Sequence, residues 1–254
     1  MNSTGKPGSS LNVHELIGDI ETAALAQGFR VETFGRIGEF PLIALTRRNP
    51  GPRPRIYISA GLHGDEPAPP LALLTMLRAG FFSNNANWFI CPVLNPEGLQ
   101  AATRENVDQC DLNRDYQDRS SLEVQAHTRW LGRQPPFDLT LCLHEDWEST
   151  GFYLYELNPR ARPTLADKMI QTVSGLMPIE PASIIDGRPI AEPGIIRPVS
   201  DPLLRTNWPE AIFLSLSHTT LSYTLETPST LPVSDRIGAM QAAVAAAVTS
   251  LIRD

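Results

Sequence analysis

Two histidines and a glutamate follow apolar segments of the chain in a pattern suited to binding a metal ion. His63 and Glu66 stand in a His-x-x-Glu spacing shortly after the apolar run 56–60, and His144 directly follows a second apolar run at 139–143. If both runs are strands of one sheet, the three side chains would converge at the edge where those strands end. Two histidines, a carboxylate and an open fourth position make a catalytic zinc site. The sequence therefore predicts one zinc ion per chain, held by His63, Glu66 and His144.

A histidine beside an apolar strand is by itself a weak sign of a metal site, because such histidines more often serve as hydrogen-bonded structural residues. The two histidines together, one of them followed by glutamate in the right spacing, favour the metal interpretation. A His-Glu-x-x-His motif starting at His144 is excluded, since Glu148 occupies its last position. The neighbouring acids Asp65, Glu145 and Asp146 leave a second metal ion open as an alternative.

The segments that must position these residues predict an α/β fold with one central sheet. The runs 56–60 and 139–143 are apolar apart from Ser59 and Thr140, as expected of parallel strands that are buried on both faces. Further strands are expected at 31–34, 40–46, 88–94, 151–157 and 221–226, and helices at 12–27, 71–82, 122–131, 160–177 and 232–252. This alternation predicts a single domain with a mixed, mainly parallel sheet flanked by helices.

Two long segments show few signs of regular structure. The polar stretch 100–119 follows an expected turn at 95–98, and the stretch 178–210 is rich in proline and glycine. Irregular segments of this length inside a compact domain usually carry function. We therefore expect both segments to serve the active site.

Length and charge narrow the choice of partner. The chain has 254 residues, enough for one α/β domain with a sizeable core. Its net charge of −7 offers no positive surface for nucleic acid or an anionic membrane, so a small-molecule substrate is expected. The polar residues 1–11 predict a flexible tail, which leaves 12–254 as the catalytic domain.

Cysteine usage and the first residues bear on the compartment. Cys91, Cys110 and Cys142 are too few and too scattered for a disulfide framework. No apolar region of the signal-peptide kind follows the polar start, and no apolar run approaches the ~18 residues of a membrane-spanning helix. These features predict a cytoplasmic protein.

Several motifs lie in order between and beyond the expected metal ligands. An Asn-Pro-x-Gly motif stands at 95–98, and Arg104, an Asn113-Arg114 pair and finally Glu226 follow it. Together with His63, Glu66 and His144, this series resembles the zinc carboxypeptidases of the carboxypeptidase A type over residues 55–230. Within that family the chain is similar to the short bacterial cytoplasmic branch that includes murein peptide amidase. It is more remotely similar to aspartoacylase and succinylglutamate desuccinylase.

The resemblance implies a phosphorylase/hydrolase-type fold and a role for each motif. Asn113 and Arg114 would grip the free carboxylate of the substrate, because the planar guanidinium matches a carboxylate with two parallel hydrogen bonds. Arg104 would stabilise the oxyanion that develops on the scissile carbonyl. Glu226 would take a proton from water and pass it to the leaving amine.

The expected activity is that of a zinc metallocarboxypeptidase-like hydrolase. It would cleave the amide bond next to a free carboxylate in a small peptide, as a carboxypeptidase or a peptide amidase. The alternative is an N-acyl amino acid deacylase of the aspartoacylase and succinylglutamate desuccinylase type. A catalytically inactive binding protein is disfavoured, because such proteins usually lose at least one of these residues.

One feature of the digestive carboxypeptidases is missing. They carry a mobile tyrosine about twenty residues before the catalytic glutamate, whereas 187–222 contains no tyrosine. What takes its place is open, as is side-chain specificity. Candidates for side-chain recognition lie in and around the second irregular segment: Asp186, Arg188, Arg197, Asp201, Arg205 and Trp208.

Overall fold

The structure, a computed structural model, describes residues 11–198 and 201–253. Its helices are α1 (Val13–Ala26), α2 (Ala68–Arg78), α3 (Pro96–Ala101), α4 (Leu122–Leu131), α5 (Ala166–Val173), α6 (Glu210–Ser217) and α7 (Val233–Arg253). Its strands are β1 (Arg30–Ile37), β2 (Phe40–Arg47), β3 (Arg55–Ser59), β4 (Asn87–Cys91), β5 (Leu139–Asp146), β6 (Tyr153–Leu157), β7 (Ile184–Ile185), β8 (Arg188–Pro189), β9 (Ile195–Ile196) and β10 (Ser222–Pro228). The tail predicted at 1–11 lies outside the described residues, apart from Leu11.

Within the described residues, one sheet contains eight strands in the order β1-β2-β4-β3-β5-β10-β6-β9, and β7 pairs with β8 in a separate hairpin. The pairs β3–β4, β3–β5, β5–β10 and β6–β9 are parallel. The pairs β1–β2, β2–β4 and β6–β10 are antiparallel. The predicted mixed, mainly parallel sheet is confirmed. Because β3, β5 and β10 are adjacent and parallel, their carboxyl ends meet at one edge of the sheet.

The central strand β3 is buried on both faces of the sheet. Ile56 and Ile58 enter the core that α1, α2, α5 and α7 cover, whereas Tyr57 enters the opposite core with α4 and α6. Successive side chains of a strand point to opposite faces. A strand between two helical layers therefore has apolar residues on both faces, and Ile56, Tyr57 and Ile58 show this pattern in the sequence.

The structure differs from the expected elements in segments that border the site. Asn95 does not begin a free turn but caps α3, since its Oδ1 accepts the N–H of Gly98 at 3.0 Å. Helix α5 is shorter than expected, because Pro159 and Pro163 precede it without helical structure. Helix α6, which begins after Pro209, was not predicted at all.

The described residues also bear on the expected compartment. None of their helices combines the length and the apolar character needed to cross a lipid bilayer. Cys91, Cys110 and Cys142 are all free, and the first and last of them are buried. Both buried thiols pack as small apolar groups in the core below α4 and α6.

Candidate metal centre and its cavity

His63, Glu66 and His144 meet at the carboxyl edge of the sheet. His63 and Glu66 lie in the segment between β3 and α2, and His144 is on β5. One ligand atom from each side chain lies within 4.8 Å of the other two, and all three residues are buried. The carboxylate of Glu66 joins the two imidazoles, with Oε1 2.5 Å from His63 Nδ1 and Oε2 2.9 Å from His144 Nδ1. Imidazole and carboxylate donors converging in this way fit a divalent metal ion.

The charges at this centre favour a cation. Burial lowers the pKa of His63, but the charge of Glu66 and the hydrogen bonds of Asp111 and Glu66 outweigh it and raise that pKa to about 9. Burial raises the pKa of Glu66, yet His63 and His144 overcome it and hold that pKa at about 2. A carboxylate that stays ionised while buried marks a place where positive charge is stabilised.

Two glycines bring the metal-binding segment against the Asn-Pro-x-Gly motif. A Cβ atom on Gly64 would collide with the backbone of Gly98, and a Cβ atom on Gly98 would collide with the side chain of Asn95. Asn95 caps the helix that contains Gly98 and also donates to the carbonyl oxygen of Arg104 at 3.5 Å. The motif therefore positions both His63 and Arg104 through the backbone.

Asp111 links the metal centre to Arg104. Its Oδ1 lies 3.2 Å from His63 Nε2, and its Oδ2 accepts from Arg104 Nε and Nη2 at 3.1 and 3.0 Å. Burial works against ionisation, but the bonds and charges of His63 and Arg104 hold the pKa of Asp111 well below its usual range. A carboxylate behind a metal-binding imidazole fixes its ring orientation and tautomer. This role was missed, although Asp111 stands directly before the Leu112–Arg114 segment.

Arg104 lies beside the expected ligands, as its predicted role requires. Its Nη1 is 3.3 Å from His63 Nδ1 and 4.0 Å from Glu66 Oε1, and the side chain is about one-third exposed to the cavity. The two hydrogen bonds that Nε and Nη2 donate to Asp111 Oδ2 limit the guanidinium to one orientation. The structure thus brings a fixed cation next to His63 and Glu66.

Glu226 is the neighbour of His144 across two parallel strands. The register of β10 and β5 pairs these two residues, so their side chains leave the sheet on the same face. Glu226 lines the same cavity as His63 and Glu66. Burial raises the pKa of Glu226 well above its ordinary value, with His144 acting in the opposite direction and Glu66 adding to the increase.

Asn113 and Arg114 line another part of this cavity, whose volume is about 320 Å³. Both belong to a short 3-10 helix, and Arg114 Nη1 donates to the backbone carbonyl of Asn113 at 2.8 Å. Arg188 and Arg205 line the cavity as well. Burial, and then the charges of Arg188 and Arg114, lower the pKa of Arg205. This part of the cavity is suited to an anionic group.

The two acids after His144 have protein partners. Glu145 accepts the N–H of Ala68 at 2.9 Å and a hydrogen bond from Arg236, so it ties β5 to α2 and α7. Asp146 accepts the hydroxyl of Tyr153 at 2.9 Å. Among the described residues, the only group of three possible ligands close enough to share a metal ion is the one formed with His144.

Two tyrosines that the sequence interpretation overlooked also line the cavity. Tyr153 and Tyr155 alternate along β6, which pairs with β10 in antiparallel orientation and places Tyr153 opposite Glu226. The hydroxyl of Tyr155 donates to Asp186 Oδ2 at 2.6 Å. The cavity therefore contains tyrosine side chains even though the stretch 187–222 has none. Their i, i+2 spacing on a strand was the available signal.

The candidates for side-chain recognition separate into two groups. Asp186, Arg188 and Arg205 line the cavity. Arg197 instead binds Glu156 and Glu192 at 2.6 and 2.7 Å. Two others lie apart from the cavity lining, as Asp201 caps the 3-10 helix Pro202–Leu204 and Trp208 packs against the apolar core.

Comparison with known proteins shows which family the sequence matches. The family model of the succinylglutamate desuccinylase/aspartoacylase catalytic domain matches residues 52–183. This range includes the three candidate ligands, Arg104 and the Asn113-Arg114 pair, whereas Glu226 lies beyond it. A search of curated proteins found no match.

Solved structures resemble the whole fold. A candidate metallopeptidase from Shewanella amazonensis is 25% identical, with a TM-score of 0.83 over 94% of this chain and 93% of that one. A candidate metallopeptidase from Shewanella denitrificans is 21% identical, with a TM-score of 0.82 over 98% of both chains. A metallo-carboxypeptidase from Burkholderia cenocepacia is 18% identical, with a TM-score of 0.69 over 94% of this chain and 69% of that one. The last two similarities show a shared fold.

Proposed function

Since the chain belongs to the succinylglutamate desuccinylase/aspartoacylase family, we propose that it is a zinc-dependent hydrolase that cleaves an amide bond next to a free carboxylate. The observation that carries this proposal is the arrangement of the cavity. His63 and Glu66, which form one group with His144, line it together with Glu226 and with the arginine-rich part around Arg114.

The chain's own residues divide the work of hydrolysis. Zinc held by the three ligands would polarise the scissile carbonyl and make water more acidic. Glu226 accepts the proton of the attacking water and delivers it to the leaving amine. Arg104, held by Asp111, donates to the oxygen that becomes negative as the carbonyl carbon turns tetrahedral. Asn113 and Arg114 hold the carboxylate and set the distance from it to the scissile bond.

The substrate is a small molecule, because a cavity of about 320 Å³ encloses one or two residues rather than a folded partner. We favour a short peptide, cleaved as a carboxypeptidase or peptide amidase would cleave it. The family model supports an N-acyl amino acid as the second candidate, since its description refers to succinylglutamate desuccinylase and aspartoacylase. The free cysteines are consistent with the reducing cytoplasm, where we place this activity.

The deciding experiment compares a short peptide acid with its C-terminal amide, alongside a panel of N-acyl amino acids. The acid should be cleaved at least about tenfold more efficiently, because a charge-assisted, bidentate contact is lost with the amide. Arg114→Ala should raise KM more than it lowers kcat. Arg129→Ala, which changes an exposed arginine on α4, is the matched control. Equal rates on acid and amide would contradict the proposal, and the panel decides between peptidase and deacylase.

Arg104→Ala should act on a different step. Its partner in the proposed mechanism is an oxyanion that exists only near the transition state, so kcat should fall by about 10²-fold or more while KM changes little. Steady-state kinetics on the preferred substrate, with metal content measured in parallel, tests this expectation. If Arg104→Ala changed KM alone, the role of Arg104 would be to bind the substrate and not to stabilise the oxyanion.

A further inference from the structure

Glu210, the first residue of α6, places a buried carboxylate beneath the cavity. The residue is 1% exposed. Its Oε1 accepts the hydroxyl of Tyr57 at 2.8 Å and its Oε2 accepts the hydroxyl of Ser59 at 2.8 Å. Both donors belong to β3, the strand that leads into His63. The side chain of Glu210 therefore attaches α6 to the strand on which the metal-binding segment depends.

The hydrogen bonds continue from Tyr57 to the segment that follows Arg114. His127 Nε2 lies 2.7 Å from the Tyr57 hydroxyl, and its Nδ1 lies 2.8 Å from the hydroxyl of Tyr116. Burial lowers the pKa of His127 to about 3, so the ring is neutral and carries one proton. Tyr57 gives its proton to Glu210, hence His127 donates through Nε2 and accepts from Tyr116 through Nδ1. Every proton in this buried chain then has an acceptor.

The backbone of Glu210 holds the other end of the same segment. Its N–H donates to Asn113 Oδ1 at 2.9 Å. The side-chain amide of Asn113 thus has its carbonyl oxygen occupied, which leaves the NH₂ group as the part that can donate to a substrate. Glu210 contacts Asn113 directly and Tyr116 through the chain, so the short segment with Asn113 and Arg114 is held at both ends.

We propose that Glu210 is a positioning residue that fixes the carboxylate-binding pair, Asn113 and Arg114, relative to the metal-bearing strands. The inference rests on the proposed function, because it assumes that this pair binds the substrate carboxylate. One residue links the two halves of the site: its side chain is bound to β3, and its backbone is bound to Asn113. The distance from the carboxylate-binding pair to the metal centre decides which amide bond is presented for cleavage. Glu210 sets that distance without contact with substrate.

The test is Glu210→Gln, which keeps the shape of the side chain but can accept through one oxygen only. Loss of one of the two hydrogen bonds to β3 and the resulting shift of α6 should raise KM for the peptide acid by about tenfold or more. Metal content should stay at the wild-type value and kcat should change much less than KM. The preference for the peptide acid over its amide should shrink, because only the acid uses the carboxylate-binding pair.

Glu156→Gln is the matched control. Glu156 is also a buried glutamate that accepts a tyrosine hydroxyl, from Tyr223 at 2.8 Å, but it lies on the far side of β6 from the cavity lining. Its replacement should lower thermal stability without altering KM or the preference for the acid. If Glu210→Gln folds poorly, Ser59→Ala removes one donor to the same carboxylate and should show a weaker rise in KM of the same kind.

The outcomes distinguish a failure of the positioning role from a failure of the proposed function. If the wild-type protein does not prefer the acid, the proposed function fails, and the positioning role fails with it. If the wild-type protein prefers the acid but Glu210→Gln, or Ser59→Ala in its place, keeps the wild-type KM and preference, the positioning role alone is overturned. The positioning role would also be overturned if Glu210→Gln lowered thermal stability and changed the kinetics for the peptide acid and its amide equally.

Discussion

Glu226→Gln is expected to lower kcat by roughly 10²- to 10⁴-fold, the usual size of general acid-base assistance. The amide has the shape of the carboxylate but cannot accept the proton of the attacking water. Glu226 stands opposite His144 in the strand register and lines the cavity, so the reacting atoms would be within its reach. Substrate binding and metal content should persist, because neither depends on this carboxylate. Single-turnover kinetics measure the rate of the chemical step, and elemental analysis on the same preparation measures the metal content.

Glu156→Gln is a suitable control for this variant too, since it makes the same change on the neighbouring strand β6. Wild-type turnover in Glu226→Gln would assign the proton transfer to another acid. Asp146, which is partly exposed and lines the cavity, would be the first to test. Glu145 is a weaker candidate because its two oxygens are occupied by Ala68 and Arg236.

Loss of the metal should abolish activity. The purified protein should contain about one zinc ion per chain, and His63→Ala or His144→Ala should reduce that content to near zero, because each removes one of three ligands. A chelator should inactivate the wild-type enzyme, and added zinc should restore it. Turnover in either variant should fall to the background of the assay.

His14→Ala controls for the loss of a histidine as such. His14 is half exposed and stacks on Phe40, and neither residue lines the cavity. Its replacement should therefore leave the zinc content unchanged. Zinc retained in both His63→Ala and His144→Ala would place the metal elsewhere. A second equivalent in the wild-type protein would direct attention to Asp65, Glu145 and Asp146.

The parts of the site that follow from strong local patterns could be predicted from the sequence. Strands β3 and β5 are rich in apolar residues on both faces because helices cover both faces of the sheet, and that pattern is unusual enough to identify them. The polar residues that follow such strands then fall at a common edge. This is why the sequence predicts that His63, Glu66 and His144 lie together.

Contacts between distant segments could not be predicted in this way. Helix α6 is short and apolar around most of its surface, so its residues show no helical period against the proline-rich stretch before it. The bond from Glu210 to Asn113 joins segments that no local rule connects. Tyr153 and Tyr155 were overlooked for a related reason. Antiparallel pairing places Tyr153 beside Glu226 and Tyr155 beside Thr224, from a strand well before the stretch 187–222.

The contact between Glu145 and Arg236 joins an early and a late part of the chain, which matters while the protein is being synthesised. A ribosome releases the chain from its amino end, so His63 and Glu66 emerge long before β10 and α7 exist. Until Arg236 follows, Glu145 has no cation to match it, and Glu226 is absent from the sheet. A nascent chain that stops before β10 and α7 therefore lacks both the proposed proton-transfer residue, Glu226, and the cationic partner of Glu145, and we expect it to be inactive.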